Sequence, residues 1–548
     1  MDEVKTERVT EVVAEKPENV QAQTQEIDAD GDKPLPTEEE NVTLRRVADN
    51  LPWVAFSLCL VEFAERASYY GAKTVYSNFI EYPLPKGGNG AGAPPRGTQE
   101  TAGALGMGLQ ASSGLTLLFT FLAYVIPIFG DGGQTSMLDV GVIPSVLQRG
   151  PSNAAPPFII GLLILAFGAG IFKPNVAPLV LDQSPHKKPF VRTLKSGERV
   201  IVDPEATANR IMLLFYGFVN IGAFYMLATT YAEKYVGYWL SFLLSAIIYF
   251  LLPILLLAVY KKTHKEPPNG GKEITEAFQI IAKALRGNKL MFWRKDFWDA
   301  AKPSKLGPQG ATVTWTDKTI DKVAKALGAC DIFLYYPIWY LNDGGIGSVS
   351  TNQGGSMVTN GAPNDSLFSL MLFIPALRRF KITPGPITRI SFGFFLATLS
   401  SIAGTLVQWK VYELSPCGYQ ASTCDQVAPI SIWWQLPNTI LSAISECFCA
   451  VTGYEVAYAR APKSMKGLVM AVFLFMNALS SALGEILIPV TKDPYLLWIW
   501  GAPAVALAAE GIIFWFRFKH LNKETFYAVE ELDEKDAEDQ ERQAALKV

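Results

Sequence analysis

An all-α polytopic membrane protein built in two helical halves is what the sequence predicts, and three observations predict it. Hydrophobic residues make up 49% of the 548, with a mean hydropathy of +0.19, which is greasier than a soluble enzyme of ordinary composition. Apolar runs of about 20 residues, the length a helix needs to cross a bilayer, recur between Leu51 and Phe518. A long basic, aromatic-rich connector, Lys261 to Lys322, divides these runs into two groups. Ionisable residues stand inside spans of both groups, the layout in which a ligand site lies midway between two bundles.

Other classes are set aside on composition. The net charge of −3, without a basic stripe outside the loops, leaves no electrostatic footprint for nucleic acid. His186, His264 and His520 all fall in polar segments, so no histidine cluster for a metal is expected. No phosphate-binding Gly-rich loop and no nucleophile constellation is found, so neither an enzyme nor a bound cofactor is expected. Cys59, Cys330, Cys447 and Cys449 lie in or beside apolar spans, where buried thiols are inert. Cys417 and Cys424 share a polar loop and can close a disulfide if that loop is extracytoplasmic.

In chain order, residues 1–50 are acidic, polar and poor in aromatics, which predicts a disordered cytosolic tail and no cleaved secretory signal. The first half, 51–260, holds spans at Leu51–Ile80, Gly103–Phe129, Phe158–Leu181, Ile211–Tyr231 and Val236–Tyr260. Small residues in the second span permit close helix approach. Residues 261–322 form a cytosolic linker in which Ile274, Ala277, Phe278, Ile281, Ala284 and Leu285 recur at helical spacing, predicting an amphipathic helix on the inner leaflet or under the bundle. The second half, 323–518, holds spans at Val323–Leu341, Ile390–Trp409, Ile430–Tyr458, Leu468–Val490 and Leu496–Phe518, with a basic-free loop from Asn342 to Asp365. Residues 519–548 are an acidic cytosolic tail.

The chemistry concentrates in the first span. Glu62, Glu65, Arg66, Tyr69, Tyr70 and Lys73 fall on one helical face. A charge at the bilayer centre costs roughly 2.5–3.5 kcal/mol on insertion scales, so this face must look inward, toward partners or a wet cavity. Two acids beside one Arg leave one carboxylate short of compensation, and such a group takes up a proton near neutral pH. Lys173, with Pro174 and Asn175, lies deep in the span ending at Leu181 and needs an anion, while Glu446 stands mid-span in the second half. A zwitterion needs one cation and one anion facing a shared cavity, and Lys173 and Glu446 supply them from opposite halves. Tyr69, Tyr70, Lys73, Tyr124, Asn175, Asn220 and Trp434 complete the candidate walls.

The stretch Glu62 to Gly71 resembles the first-helix Glu-x-x-Glu-Arg signature of the proton-dependent oligopeptide transporters. Phe167 to Asn175 and Phe215 to Gly222 are similar to that family's fourth- and fifth-helix motifs, and Ser445-Glu446 with Ala459 to Ala471 to its fungal branch. The resemblance implies a major-facilitator-like two-bundle fold, normally of 12 transmembrane helices. It implies a symporter that imports di- and tripeptides with protons across the plasma membrane, the bilayer, peptide and protons being its partners. Glu62, Glu65 and Arg66 would serve in coupling, Lys173 would meet the peptide carboxylate or the acids, and Glu446 the peptide amine. Asp343-Gly344-Gly345 stands where relatives often carry Tyr-Asn-Gln and keeps another small zwitterionic or anionic solute open, while the shortfall of spans keeps open a non-transporting product of an incomplete gene. Leu117 stands near the place where animal members carry a histidine, so coupling here would rest on carboxylates.

About 10 full spans are present rather than 12, and orientation locates the shortfall. Basic segments at 183–210, 261–322, 378–389 and 460–466 all ask to be cytoplasmic, as does the Arg45-Arg46 flank. With a single crossing between Gly130 and Leu181, the basic 183–210 segment would be exported. A third helix is therefore expected to be missing between Gly130 and Phe158, and an eighth truncated at Ser366–Leu377.

Overall fold

The computed structural model describes residues 36–125, 144–263 (except 182, 185, 187 and 188), 272–288, 296–305, 313–342 (except 314), 346–365, 385–460 and 466–523. Two compact units are distinguished, a small one of Met1–Leu51 with Ser184–Ile211 and a large one of Pro52–Gln183 with Met212–Val548.

The small unit corrects the expectation of a tail disordered as far as residue 50. A helical turn at Glu38–Thr43 is closed by a capping box from Thr37 and Glu40. Strand β1 (Arg46–Val47) then pairs in parallel with β3 (Arg199–Val202), which pairs antiparallel with β2 (Phe190–Thr193). Val200, Ile201 and Val202 are buried. The basic residues of this segment meet the acids of the N-terminal stretch, Arg45 with Glu198 at 3.1 Å and Arg192 with Asp49 at 2.7 Å. Neither run is apolar enough alone to announce a sheet.

Among the described residues of the large unit, eight helices are long and apolar enough to cross a membrane. A ninth, α1 (Trp53–Glu81), is 29 residues long and breaks the apolar rule only through its charges; it spans roughly 43 Å at 1.5 Å per residue. The first half continues with α2 (Gly108–Val125), α3 (Pro151–Leu181), α4 (Pro204–Ala223), α5 (Tyr225–Tyr235) and α6 (Tyr238–Val259). Aromatic rings lock α1 to α3 and α6 near one end: Phe79 lies 4.4 Å from Phe158 and 4.8 Å from Tyr238, centroid to centroid. Removing such a ring costs about 3–5 kcal/mol.

That packing gives the direction of α3. It starts beside the outer end of α1, and just before it Gln148 reaches the carbonyl of Gly90 in the outer loop. A helix of 31 residues starting there runs back along α1 toward its other end. Of the expected gap between Gly130 and Phe158, the part up to 143 lies outside the described residues, and the rest holds a helical turn at Pro144–Leu147 and the start of α3 at Pro151; the truncated eighth falls on 366–384, outside the described residues.

In the linker, α7 (Lys272–Gly287) buries Ala277, Ile280 and Ala284 against Phe297, Trp315, Ile320 and Val323. The buried stripe is turned from the expected one, since Phe278 is 42% exposed and Ile280 fully covered. The helix therefore packs under the second half rather than lying free on a leaflet. The expected span Val323–Leu341 is broken into α8 (Asp317–Ala329), a 3-10 turn (Cys330–Tyr335) and α9 (Tyr336–Asn342). Pro337 lacks the N–H that would continue the ladder. The supposed loop after it contains α10 (Val349–Gly355), whose Ser350, Thr351, Asn352 and Gln353 are all buried. Its polarity hid it from hydropathy. Helices α11 (Pro386–Leu414), α12 (Leu436–Arg460), α13 (Lys466–Leu487) and α14 (Leu496–Phe518) complete the half. On the outer side, β4 (Met357–Val358) pairs with β5 (Ala428–Ser431), and Cys417 is bonded to Cys424.

Candidate functional site

The charged face of α1 looks inward. Glu62, Glu65 and Arg66 are 2%, 4% and 9% exposed. Arg66 Nε donates to Glu62 Oε1 at 2.6 Å and lies 2.9 Å from Glu65 Oε2, so one guanidinium holds two carboxylates. Helix α4 comes close enough to fix this face: a Cβ on Gly222 would sit 2.8 Å from the carbonyl of Phe63 and 3.0 Å from Arg66 Cβ. One turn along α1, Tyr69 lies under both cations, its centroid 5.8 Å from the Arg66 guanidinium and 5.9 Å from Lys73 Nζ. The Tyr69 ring packs in turn on Phe119 of α2.

Glu446 reaches the same place from the second half. Trp339 on α9 donates to Ser445 Oγ at 2.9 Å, Ser445 donates to the Gly393 carbonyl of α11, and Tyr336 donates to the Cys449 carbonyl. These bonds turn one face of α12 into its own bundle and leave the neighbouring residue, Glu446, directed toward the first half. Tyr70 feels the charges of Arg66, Glu65 and Glu446 together with Tyr124, and Tyr454 those of Arg66, Glu62 and Glu446. The rings of Tyr216 on α4 and Tyr454 on α12 stand 6.0 Å apart.

Of the residues expected from the sequence, the structure therefore brings Glu62, Glu65, Arg66, Tyr69, Tyr70, Tyr124 and Glu446 into one neighbourhood. Lys73 lies at its edge, half-buried on Tyr69. Asn220 spends its amide on the Tyr216 carbonyl of its own helix. Lys173 and Asn175 are on α3, and their side chains lie outside the described residues, as do Asp343, Gly344 and Gly345. Trp434 is a correction: it sits on a 3-10 turn before α12, 63% exposed and about three helical turns from Glu446, and lines no wall there. Sequence reasoning missed Tyr216, Tyr340 and Tyr454 as wall residues. A tyrosine inside a span carries no charge to explain, so it gives no signal by itself. Among the described residues no group of three or more His, Cys, Asp or Glu is placed to hold a metal ion.

The POT family profile, PTR2, matches residues 135–503. The chain is 39% identical over 552 positions to the peptide transporter PTR2 of Candida albicans, covering 92% of this chain and 88% of that one. This chain belongs to the POT family. It is also 50% identical over 527 positions to the MFS-type transporter ucsM of an Acremonium species, covering 90% of this chain and 88% of that one. Its fold matches the crystal structure of a POT family transporter in complex with a thioalcohol conjugated peptide, with a TM-score of 0.58 at 18% identity, covering 86% of this chain and 97% of that one. The Candida alignment is longer than the 548-residue chain although it covers only part of it, so that relative carries residues with no counterpart here.

Proposed function

We propose that the protein is a proton-coupled symporter that imports di- and tripeptides across the plasma membrane by alternating access. The observation that carries this is the buried Glu62–Arg66–Glu65 group facing Glu446 across a ring of tyrosines. With both acids ionised the group has a net charge of −1 in a low-dielectric setting, and to it we assign the coupling proton. Glu446 offers the anion that a peptide amine needs, and Lys173 on α3 the cation for its carboxylate. Relatives named as peptide transporters support the substrate class.

A second solute class is favoured by one observation: the relative at 50% identity bears a name that mentions no peptide. Uptake of a labelled dipeptide into proteoliposomes, with and without an acid-outside gradient, tests the proposal. Gradient-driven accumulation supports it. Uptake of other zwitterions but no peptide favours the second class, and uptake of neither a non-transporting chain.

A further inference from the structure

On the outer side the two halves meet through buried polar groups. Ser348 Oγ lies 2.8 Å from Ser112 Oγ and donates to Ser77 Oγ at 3.0 Å, Asn78 donates to Asn364 at 2.8 Å, and Asn352 donates to Glu81. Within this seal lie two acids that the central site does not use. Glu233, at the outer end of α5, is 1% exposed, and Asp365, from the second half, 0%. Asn78 brings them to one place, donating both to Glu233 and to Asn364, the residue before Asp365. Asn78 and Tyr238 both donate to Glu233 Oε1, at 2.8 and 3.2 Å. Glu233 Oε2 accepts no hydrogen bond from a described residue, and the Asp365 carboxyl none except from its own backbone N–H.

The charges around them do not compensate two carboxylates. Among the described residues Lys234 is the one cation that both acids feel, and its Nζ is engaged with Thr359 Oγ1 at 3.2 Å and the Ala362 carbonyl at 2.7 Å. From α6 comes Tyr238, and behind it Tyr82 and Glu81 at the end of α1 add no positive charge. A small pocket bordered by Gln99, Glu100, Glu233, Lys234 and Asn364 joins Glu233 to the loop that carries Gln99 and Glu100. Two buried carboxyls in contact with too few donors cannot both ionise, and a proton between them supplies the missing donor.

We propose that Glu233 and Asp365 share one proton while the outer side is closed, and that this proton tightens the outer seal. The site deepens the transporter reading, since it requires a chain that opens outward. It differs from Glu62 and Glu65 in what it does with the proton: it lies within the seal and away from the central site, so a proton bound on closing leaves by the same side on reopening. It regulates the gate and adds nothing to the number of protons carried.

The sign follows from burial, which pushes the Asp365 carboxyl up to about 7 in the closed state. Once the seal parts and water reaches the pair, an ordinary carboxylate value of about 4 applies. Closure then gains up to tenfold per unit and per proton bound as the outer pH falls toward about 4.

The test uses the full chain in right-side-out vesicles without peptide, carrying Ser112→Cys as a reporter inside the seal. Labelling by a membrane-impermeant thiol reagent is read against Lys86→Cys on the exposed outer loop, which corrects for thiol chemistry. The normalised rate should fall by at least about tenfold from pH 7 to pH 5. Asp365→Asn and Glu233→Gln should each flatten that response, and if one variant does not reach the membrane the other carries the test. A flat parent, or a variant that keeps the full slope, overturns the proposal. So does protection by added Na+ or K+ at constant pH, which would make the pair a metal-cation site. Because no peptide is present, failure of the peptide assignment leaves this result untouched.

Discussion

Glu62→Gln tests the coupling group most directly. The substitution keeps the shape of the side chain and removes one of two carboxylates that Arg66 holds at 2.6 and 2.9 Å. The group passes from a net charge of −1 to neutral, and what remains, Arg66 with Glu65, is a balanced pair that no longer needs a proton. The local loss is one charge-assisted hydrogen bond, about 1.5–3 kcal/mol, small enough for the helix bundle to survive. The functional loss is larger. One pH unit is worth 1.36 kcal/mol per proton, so a coupled chain accumulates peptide about tenfold per unit of gradient and per proton. In proteoliposomes the variant should equilibrate peptide without accumulating it, while exchange of labelled for unlabelled peptide at equal pH continues. Glu65→Gln leaves the corresponding pair and should behave alike. Equal loss of driven uptake and exchange would refute the reasoning and make the triad an ion-pair staple; retained accumulation would place the coupling proton elsewhere.

Three further outcomes follow from the geometry. Glu446→Gln should weaken binding of peptides with a free amino group by about 2–5 kcal/mol while hardly affecting N-blocked analogues, measured by competition for uptake; indifference to blocking would remove Glu446 from that role. Gly222→Ala should lower the melting point of the solubilised protein by an overpacking cost of about 1–3 kcal/mol, because its Cβ meets the Phe63 carbonyl at 2.8 Å, whereas Gly217→Ala, with nothing within 4 Å, should not. Replacing Cys417 and Cys424 together by Ser should cost about 2–3 kcal/mol of stability, seen as a lower thermal midpoint, since the bond closes a short outer loop; an unchanged midpoint would show that the loop is held by its hydrogen bonds to Asp493 alone.

How much was legible in the sequence depended on whether a residue's burial left a trace in composition. Charges inside apolar runs are such traces, and Glu62, Glu65, Arg66 and Glu446 were found by them. Apolar length located α1 and the last four helices to within a few residues, for example Leu496–Phe518. Where burial is satisfied by hydrogen bonds rather than hydrophobicity, the trace disappears. Helix α10 reads as a loop because Ser350 to Gln353 are polar, yet Gln353 donates to the Gly404 carbonyl and to Gln408, and accepts from Gln435. Trp434 was misplaced for the opposite reason: an aromatic beside a kink-capable Pro437 suggests a wall, but the 3-10 turn Ile432–Gln435 carries it to the surface. The small sheet escaped because each of its strands has four residues or fewer and β1 lies some 150 residues from its partner β3.

The chemistry of the contacts also says which of them can part. Within each half, the cores are aromatic and aliphatic: Tyr76, Phe79, Phe158 and Tyr238 in one, Phe333, Trp339, Phe394, Phe473 and Phe514 in the other, nearly all with no exposed surface. Opening them would expose large apolar side chains and cost about 3–5 kcal/mol for each ring. The outer meeting of the halves is different in kind. Ser77, Ser112, Ser348, Asn78, Asn364 and Asn352 exchange hydrogen bonds there, and each such bond contributes only about 0.5–1.5 kcal/mol net because water replaces it when the surfaces separate. A seal made this way closes out solvent yet opens at small cost, whereas the two cores move as units. Polar residues buried between the halves, and apolar ones buried within them, are what rocking of two bundles about a midplane site requires.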